Sequence, residues 1–496
     1  MFRRMSVLFL LAVAGGVPAL AQQADIGGLR GSASDDGNSF GGQSGFGATG
    51  ADLGGLGSEA PATTGSIGTQ PNGRLSATAE RGSSGLVSGG RQDRVRPFAD
   101  RLSAVRRTPA LGGSGGALAN DVFAGDTTYD AATGLRVGTF TIIPQLTVSG
   151  GWSTNAAGSS SGRGNSLYTI APDLSATSNW SRHELTLSLR GSYAAFPGSK
   201  LRTEPSVTGS TALRLDLSDT TEVNASAGIT YSRETQSTAE NPSGEGDVYG
   251  YTGSLGVSHA AGLVGLTLRG DIERTAYTLE TTADANNRNN TLLSATVRAD
   301  ALTGATLQPF VEATVLRRAF DSTCNAACVK RDATGYQLRA GTTIEAGPKL
   351  AGEIGAGWRV ERLDTNRLDD LSGLVVDASL VWSPSRLTTV TAGVGTTFAP
   401  SYLPTAAGSI LYSGDLRIAH AFSDRFVGEA GVGYQLRHYE GVNIDERTTS
   451  ALAGLTYAVT RNVALTGNYT FRAFDSSQAG ANYNESRIQA GVRIRR

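Results

Sequence analysis

The chain is most informative first in what it does without. Beyond the first 20 residues no uninterrupted apolar run approaches the roughly 18 side chains that a membrane-spanning helix needs, which excludes a helical membrane protein. A basic surplus is missing too. Lys and Arg number 43 against 44 Asp and Glu, and a net charge of -1 gives no electrostatic hold on nucleic acid. Cysteine is reduced to two residues and histidine to four. His183, His259 and His420 fall beside expected turns and only His438 lies elsewhere, with no G-x-S-x-G elbow to supply a nucleophile. No catalytic residue, metal site or cofactor is expected, and the chain does not read as an enzyme.

Cys324 and Cys328, in "DSTCNAACVKRD", form a lone C-x3-C. Two thiolates without a nearby His do not complete a four-ligand zinc site. A local disulfide across a loop tip is the expectation in an oxidising compartment.

The N-terminus points to such a compartment. Arg3 and Arg4 precede an apolar core from Val7 to Val17, and Ala19-Leu20-Ala21 offers a small-x-small cleavage site. These are the parts of a secretory signal peptide, residues 1–21. Residues 22–133 are Gly/Ser-rich and hold too few large apolar groups to offset the entropy of ordering, so a disordered periplasmic segment is expected. Within it Arg91 to Leu111, "RQDRVRPFADRLSAVRRTPAL", is either a solvated linker or a short docking helix.

From residue 134 to 496 the pattern changes to alternation. In "LTLRGDIERTAY" one face carries Leu266, Leu268, Gly270 and Ile272, the other Thr267, Arg269, Asp271 and Glu273. Period two marks a strand whose faces see different surroundings. "HELTLSLRGSY", "KLAGEIGAGWRVER", "GLVVDASLVW" and "SRIQAGVRIRR" repeat it. Long polar loops near 156–164, 197–204, 236–246, 280–289, 320–331, 364–370, 400–408, 440–446 and 476–482 alternate strictly with short turns. Strict alternation sorts long loops to one side and turns to the other. Even strand number and sorted loops are properties of outer-membrane barrels. The expected fold is all-β: a transmembrane antiparallel up-and-down β-barrel of about 18 strands. Trp180, Trp382, Phe422, Phe426 and Tyr457 near the turns, and Trp152, Tyr193, Tyr231, Tyr277 and Tyr439 towards the loops, are expected to form two aromatic girdles.

The lumen face is where function can lie. Arg190, Arg214, Arg269, Asp271, Glu273, Arg298, Glu312, Glu353, Arg359, Asp377, Asp415, Arg417, Glu429, Arg437 and Arg472 share it. Both signs are present, which implies a hydrated wall of weak ion selectivity or a self-neutralising network.

Three stretches resemble a known family. "YDAATGLRVGTFTIIPQLTVSGGWSTN" (Tyr129 to Asn155), "GWRVERLDTNRLDDLSGLVVDASLVWSPSRLTTVTAGVGTTF" (Gly357 to Phe398) and the C-terminal run from "LTYAVTRNV" resemble the putative beta-barrel porin type 2 family of Gram-negative outer-membrane proteins. The chain departs from the usual outer-membrane pattern by ending Ile494-Arg495-Arg496 rather than in an aromatic residue. The resemblance implies an outer-membrane porin-like channel associated with exopolysaccharide production and no catalytic residues. Expected partners are outer-membrane lipid and the barrel-assembly machinery, with polysaccharide and periplasmic export components as further candidates, and no nucleic acid. The alternative is a structural or assembly component of an exopolysaccharide export system, with the barrel as its anchor.

Overall fold

A computed structural model describes residues 134–181, 183–233, 239, 246–278, 288–322, 329–346, 349–385, 387–403, 405–423 and 425–496. The expected signal peptide, the Gly/Ser-rich segment with Arg91 to Leu111, and the expected Cys324–Cys328 disulfide lie outside the described residues.

Among the described residues nineteen strands follow one another: β1 (Leu135–Val137), β2 (Phe140–Ser153), β3 (Asn165–Ser178), β4 (His183–Ala195), β5 (Glu204–Asp216), β6 (Thr221–Arg233), β7 (Asp247–Ala261), β8 (Val264–Thr278), β9 (Asn290–Ala301), β10 (Leu307–Phe320), β11 (Ala333–Ala346), β12 (Leu350–Leu363), β13 (Leu371–Ser385), β14 (Thr388–Ala399), β15 (Gly408–Ala421), β16 (Phe426–Glu440), β17 (Asp445–Ala458), β18 (Val463–Ser476) and β19 (Tyr483–Arg495). From β2 onwards each strand pairs antiparallel with the next. β19 then returns to β2, from Arg487↔Ser153 to Arg495↔Gln145. Eighteen strands therefore close on themselves, and closure removes the unpaired edge that lipid cannot satisfy. The short β1 folds back on the base of β2, Leu135↔Ile142, along the stretch that β19 no longer covers. It supplies partners to an edge that would otherwise be open.

Connections alternate as expected. β7 and β8 are joined through Gly262-Leu263 alone, where Gly262 has φ +64°, the left-handed value that a two-residue hairpin turn needs. One connection departs in length. β16 and β17, expected to be joined by a long loop, are joined by 441–444, with Gly441 at φ +91°. The end it occupies is right and its length is that of a turn, because the antiparallel ladder continues to His438↔Asp445.

The faces follow strand parity. Leu266, Leu268 and Ile272 are exposed on the outside, and Leu268 is 60% accessible. Thr267 is buried and Arg269, Asp271 and Glu273 half-buried on the inside. This reverses a soluble core: the apolar surface looks outward and the polar surface inward. Inside, apolar clusters such as Leu371, Val375, Phe398 and Ile410, or Ala156, Leu167 and Phe196, sit near the long-loop end.

The two girdles need one correction. Trp152, Tyr193, Trp382, Phe422 and Tyr457 are exposed outward-facing aromatics, but Tyr277 and Tyr439 are buried inside. Tyr277 lies five residues after the outward Ile272, and odd steps change face. Closeness to a loop had suggested the girdle; parity decides against it.

Candidate functional site

All fifteen charged residues expected on the lumen wall point inward, but they are not equivalent. They fall into a packed charged arc, a looser, hydroxyl-rich one and an intermediate stretch between them.

The charged arc runs from β8 to β13. At its centre is Arg339 on β11, whose side chain is 1% exposed. Its guanidinium reaches Glu312 on β10 at 3.1 Å, Asp377 on β13 at 3.2 Å and Glu353 on β12 at 3.5 Å. Arg298 on β9 makes a two-pronged contact with Glu353, Nη1–Oε1 3.1 Å and Nη2–Oε2 2.8 Å, and turns Nε to Asp300 at 2.9 Å. The same guanidinium lies 3.8 Å from the centroid of the Phe310 ring. Arg269 pairs with Asp271 two residues along β8. Nearer the long-loop end, Arg318 and Arg359 both bond Glu361, while Arg318 also reaches Asn290 Oδ1 at 3.2 Å and the carbonyl of Phe398 at 3.3 Å. Glu273 faces the fields of Arg318 and Arg359. Every such pair takes charge out of water, so each needs several partners to persist.

β13 and β14 meet irregularly beside this network. The hydroxyl of Thr396 accepts from Val376 N at 2.9 Å and donates to Val376 O at 3.1 Å, standing where a backbone partner would be. Phe398 then lies inside, with Arg359 5.0 Å from its ring centroid.

The hydroxyl arc covers β4 to β7. Ser188 and Ser210 are 3.0 Å apart, Ser226 and Ser254 2.7 Å apart, and Ser206, Thr208, Thr230, Ser232 and Thr252 share the same inward parity. Its charges are few and paired: Arg190 with Asp173 at 2.9 Å, and Arg214 with Asp216 at 3.4 Å and Glu184 at 3.6 Å. Most inward hydroxyls here are half-buried and Thr252 is exposed, whereas Glu312, Arg318, Arg339, Arg359, Glu361 and Asp377 are buried. The inward side chains of β4 to β7 are thus more open to water than the buried centre of the charged arc.

The remaining wall, β14 to β19, is intermediate. Asp415 and Arg417 are neighbours on β15, and Glu429 faces inward on β16 against Gly454. Arg437 lies 4.0 Å from Glu446, and Arg472 5.3 Å from the Tyr483 ring centroid. Arg487 bonds Glu485 at 3.0 Å and faces Glu204 of β5 at 3.8 Å, bridging the seam where the barrel closes.

Loops narrow the mouth. The N–H of Ala239, between β6 and β7, donates to Glu446 of β17 at 3.0 Å, a contact across the barrel. Arg331 donates to the carbonyls of Ser401, Leu403 and Ala406. Arg288 stacks on Tyr277 at 3.9 Å and Tyr402 at 4.8 Å, and the Tyr402 hydroxyl donates to its carbonyl at 3.2 Å.

Alternation alone placed Glu361 and Arg487 on the polar face without singling them out, and it left Arg339, Arg318, Asp300 and Glu485 unremarked. Alternation in "YQLRAGTT" puts Arg339 on the face of Gln337, so parity carried the signal; Arg339's central role required knowing which strands adjoin. Among the described residues, no group of three or more His, Cys, Asp or Glu is placed to hold a metal ion.

A closed barrel with an apolar outside and a wet, charged inside defines a channel-type membrane β-barrel. Residues 127–496 match the profile of the family described as "Putative beta-barrel porin 2", and the chain belongs to that family. No curated protein matches. Solved structures similar to this chain include the outer membrane protein opdK from Pseudomonas aeruginosa, at 11% identity over 72% of this chain and 99% of that one, TM-score 0.37. A mutant of the ferric enterobactin receptor PfeA from the same organism shares 9% identity over 72% of this chain and 80% of its own, TM-score 0.37. The siderophore receptor PirA from Acinetobacter baumannii shares 8% over 74% and 84%, TM-score 0.37.

Proposed function

We propose that this protein is an outer-membrane channel, with short turns towards the periplasm and long loops outside, and that polar solute crosses along the hydroxyl arc. The observation that supports this most is accessibility. From Asp216 and Glu222 at the short-turn end to Ser206 and Ser232 at the other, inward positions of β5 and β6 stay half-open to water along most of the strand. An 18-stranded barrel is wide enough for such a passage even when one side is packed. Hydroxyls exchange hydrogen bonds with a solute without fixing its charge, and the nearby charges are paired, so selectivity among ions is weak. An uncharged polyhydroxyl chain, such as an exopolysaccharide, suits this wall. No covalent step is involved.

Planar-bilayer recording of the purified chain tests the channel. Discrete, weakly selective conductance steps are expected. No conductance, even after removal of residues 22–133, contradicts an open pore.

A further inference from the structure

The outside of the barrel carries a second charged feature, unrelated to the lumen. At the long-loop end, outward-facing positions hold a belt of cation–carboxylate pairs. They are Arg233–Asp247 at 3.3 Å, Arg274–Asp321 at 2.7 Å, Arg317–Asp364 at 2.7 Å, Arg362–Asp370 at 3.7 Å and His438–Asp445 at 2.7 Å. Two of them are copies of one device. Arg274 bonds Thr291, 17 residues on, at 3.0 Å, and makes a two-pronged contact with Asp321, 47 residues on. Arg317 bonds Thr334, again 17 residues on, at 2.7 Å, and makes the same contact with Asp364, again 47 residues on. The device is thus repeated from one strand pair to the next, β8–β9 and then β10–β11.

Depth separates this belt from a simple clamp on strand ends. Arg274 lies directly across from the exposed Tyr251 in the β7–β8 ladder, and Arg362 is four residues beyond the exposed Trp358 on the same face. Aromatic girdles mark the membrane interface, so charges just beyond them stand among lipid headgroups. The other rim is built differently. His183, His259 and His420 take outward positions there, His259 Nδ1 within 3.0 Å of Thr221 Oγ1 and His420 Nδ1 within 2.9 Å of Thr388 Oγ1. With them stand Trp382 and Phe422. The two rims thus face different surfaces.

A guanidinium has five N–H donors. Carboxylate and threonine take three bonds from Arg274 and three from Arg317, which leaves two donors outside those bonds on each, with Arg317 Nη2 also 3.7 Å from Asp332. Those side chains are 37% and 41% exposed, so the remaining donors can meet a ligand from the lipid side. Guanidinium groups match phosphate geometry.

We infer that the Arg–Thr–Asp devices at β8 to β12 bind the phosphate groups of outer-leaflet lipids through the remaining donors of Arg274 and Arg317. The inference rests on the outer-membrane placement proposed above, but not on transport. Native mass spectrometry of the full chain tests it, with diphosphoryl lipid A and its dephosphorylated form offered in mixed micelles. The phosphorylated lipid is expected to bind about tenfold better, the scale of one strong charged contact. Arg274→Gln/Arg317→Gln is expected to erase that preference while bilayer conductance stays at the wild-type value. Equal binding of both lipids by the wild-type chain overturns the inference without needing any variant, as does a preference that survives in the folded double variant. Failure of the chain to insert into any bilayer instead counts against the membrane placement itself.

Discussion

The two sides of the lumen solve the same problem in opposite ways. From β8 to β13 the wall buries Arg and Glu in a network of ion pairs around Arg339. From β4 to β7 it lines the interior with serine and threonine and leaves them wet. A charge network is rigid because no member can move without stranding another in a low-dielectric setting. A hydroxyl wall is adaptable, because each group can turn from a neighbour to water or solute at small cost. One arc gives the barrel its cross-section and the other leaves a path. Lumen charges are thus mainly architecture, and the least conspicuous side chains line the route.

Substitutions can break this contrast. The largest effect is expected from Arg339→Ala, which leaves Glu312, Glu353 and Asp377 short of a shared cation; stranding a buried charge costs about 3–5 kcal/mol. Urea unfolding in lipid vesicles measures it, and a near-neutral result would mean that water already serves these carboxylates. Leu268→Arg, on the outward face, should cost about 2–4 kcal/mol if Leu268 lies at mid-membrane. The same assay reads that loss.

Ser226→Trp is expected to do the reverse: to change stability by less than about 1 kcal/mol, within the usual range for non-core positions, while sharply reducing single-channel conductance. Asp271→Asn should fold, and because Arg269 loses its partner, ion selectivity should move slightly towards anions in reversal-potential measurements.

Acid is expected to weaken the outward pairs. Hydrogen bonds from Arg274 and Arg317 hold the carboxyls of Asp321 and Asp364 below the usual aspartate range. A carboxylate whose folded pKa is depressed adds stability above its unfolded value of about 3.9 and loses it as pH falls further, through the folded value. Thermal unfolding at pH 6 and at stepwise lower pH should therefore show a loss beginning below about pH 4, blunted in Asp321→Asn/Asp364→Asn. The effect is small because both pairs are well exposed.

Much of this was legible in the sequence, because a barrel strand writes its two environments in alternate letters. Strand number and the order of connections followed from the alternation of long loops with short turns, and the face of each charged side chain from parity. Parity also contained the answer for Tyr277 and Tyr439, which proximity to a loop obscured. What the sequence did not contain was adjacency across strands. Arg298 meets Glu353 from three strands away, and Arg487 meets Glu204 across the closure, at separations that no local pattern encodes. The short 441–444 connection was hidden for a related reason: polar residues at the end of a ladder read the same as polar residues in a loop.

Cysteine accessibility during conductance tests the central claim most directly. In a background with Cys324 and Cys328 replaced by serine, Thr252→Cys on the hydroxyl arc and Gln337→Cys on the charged arc are each exposed to a charged, water-soluble thiol reagent while current is recorded. The account predicts that current through Thr252→Cys channels falls on modification and that current through Gln337→Cys channels does not change. Block at position 337 with none at 252 would place the water path against the charged wall and contradict it.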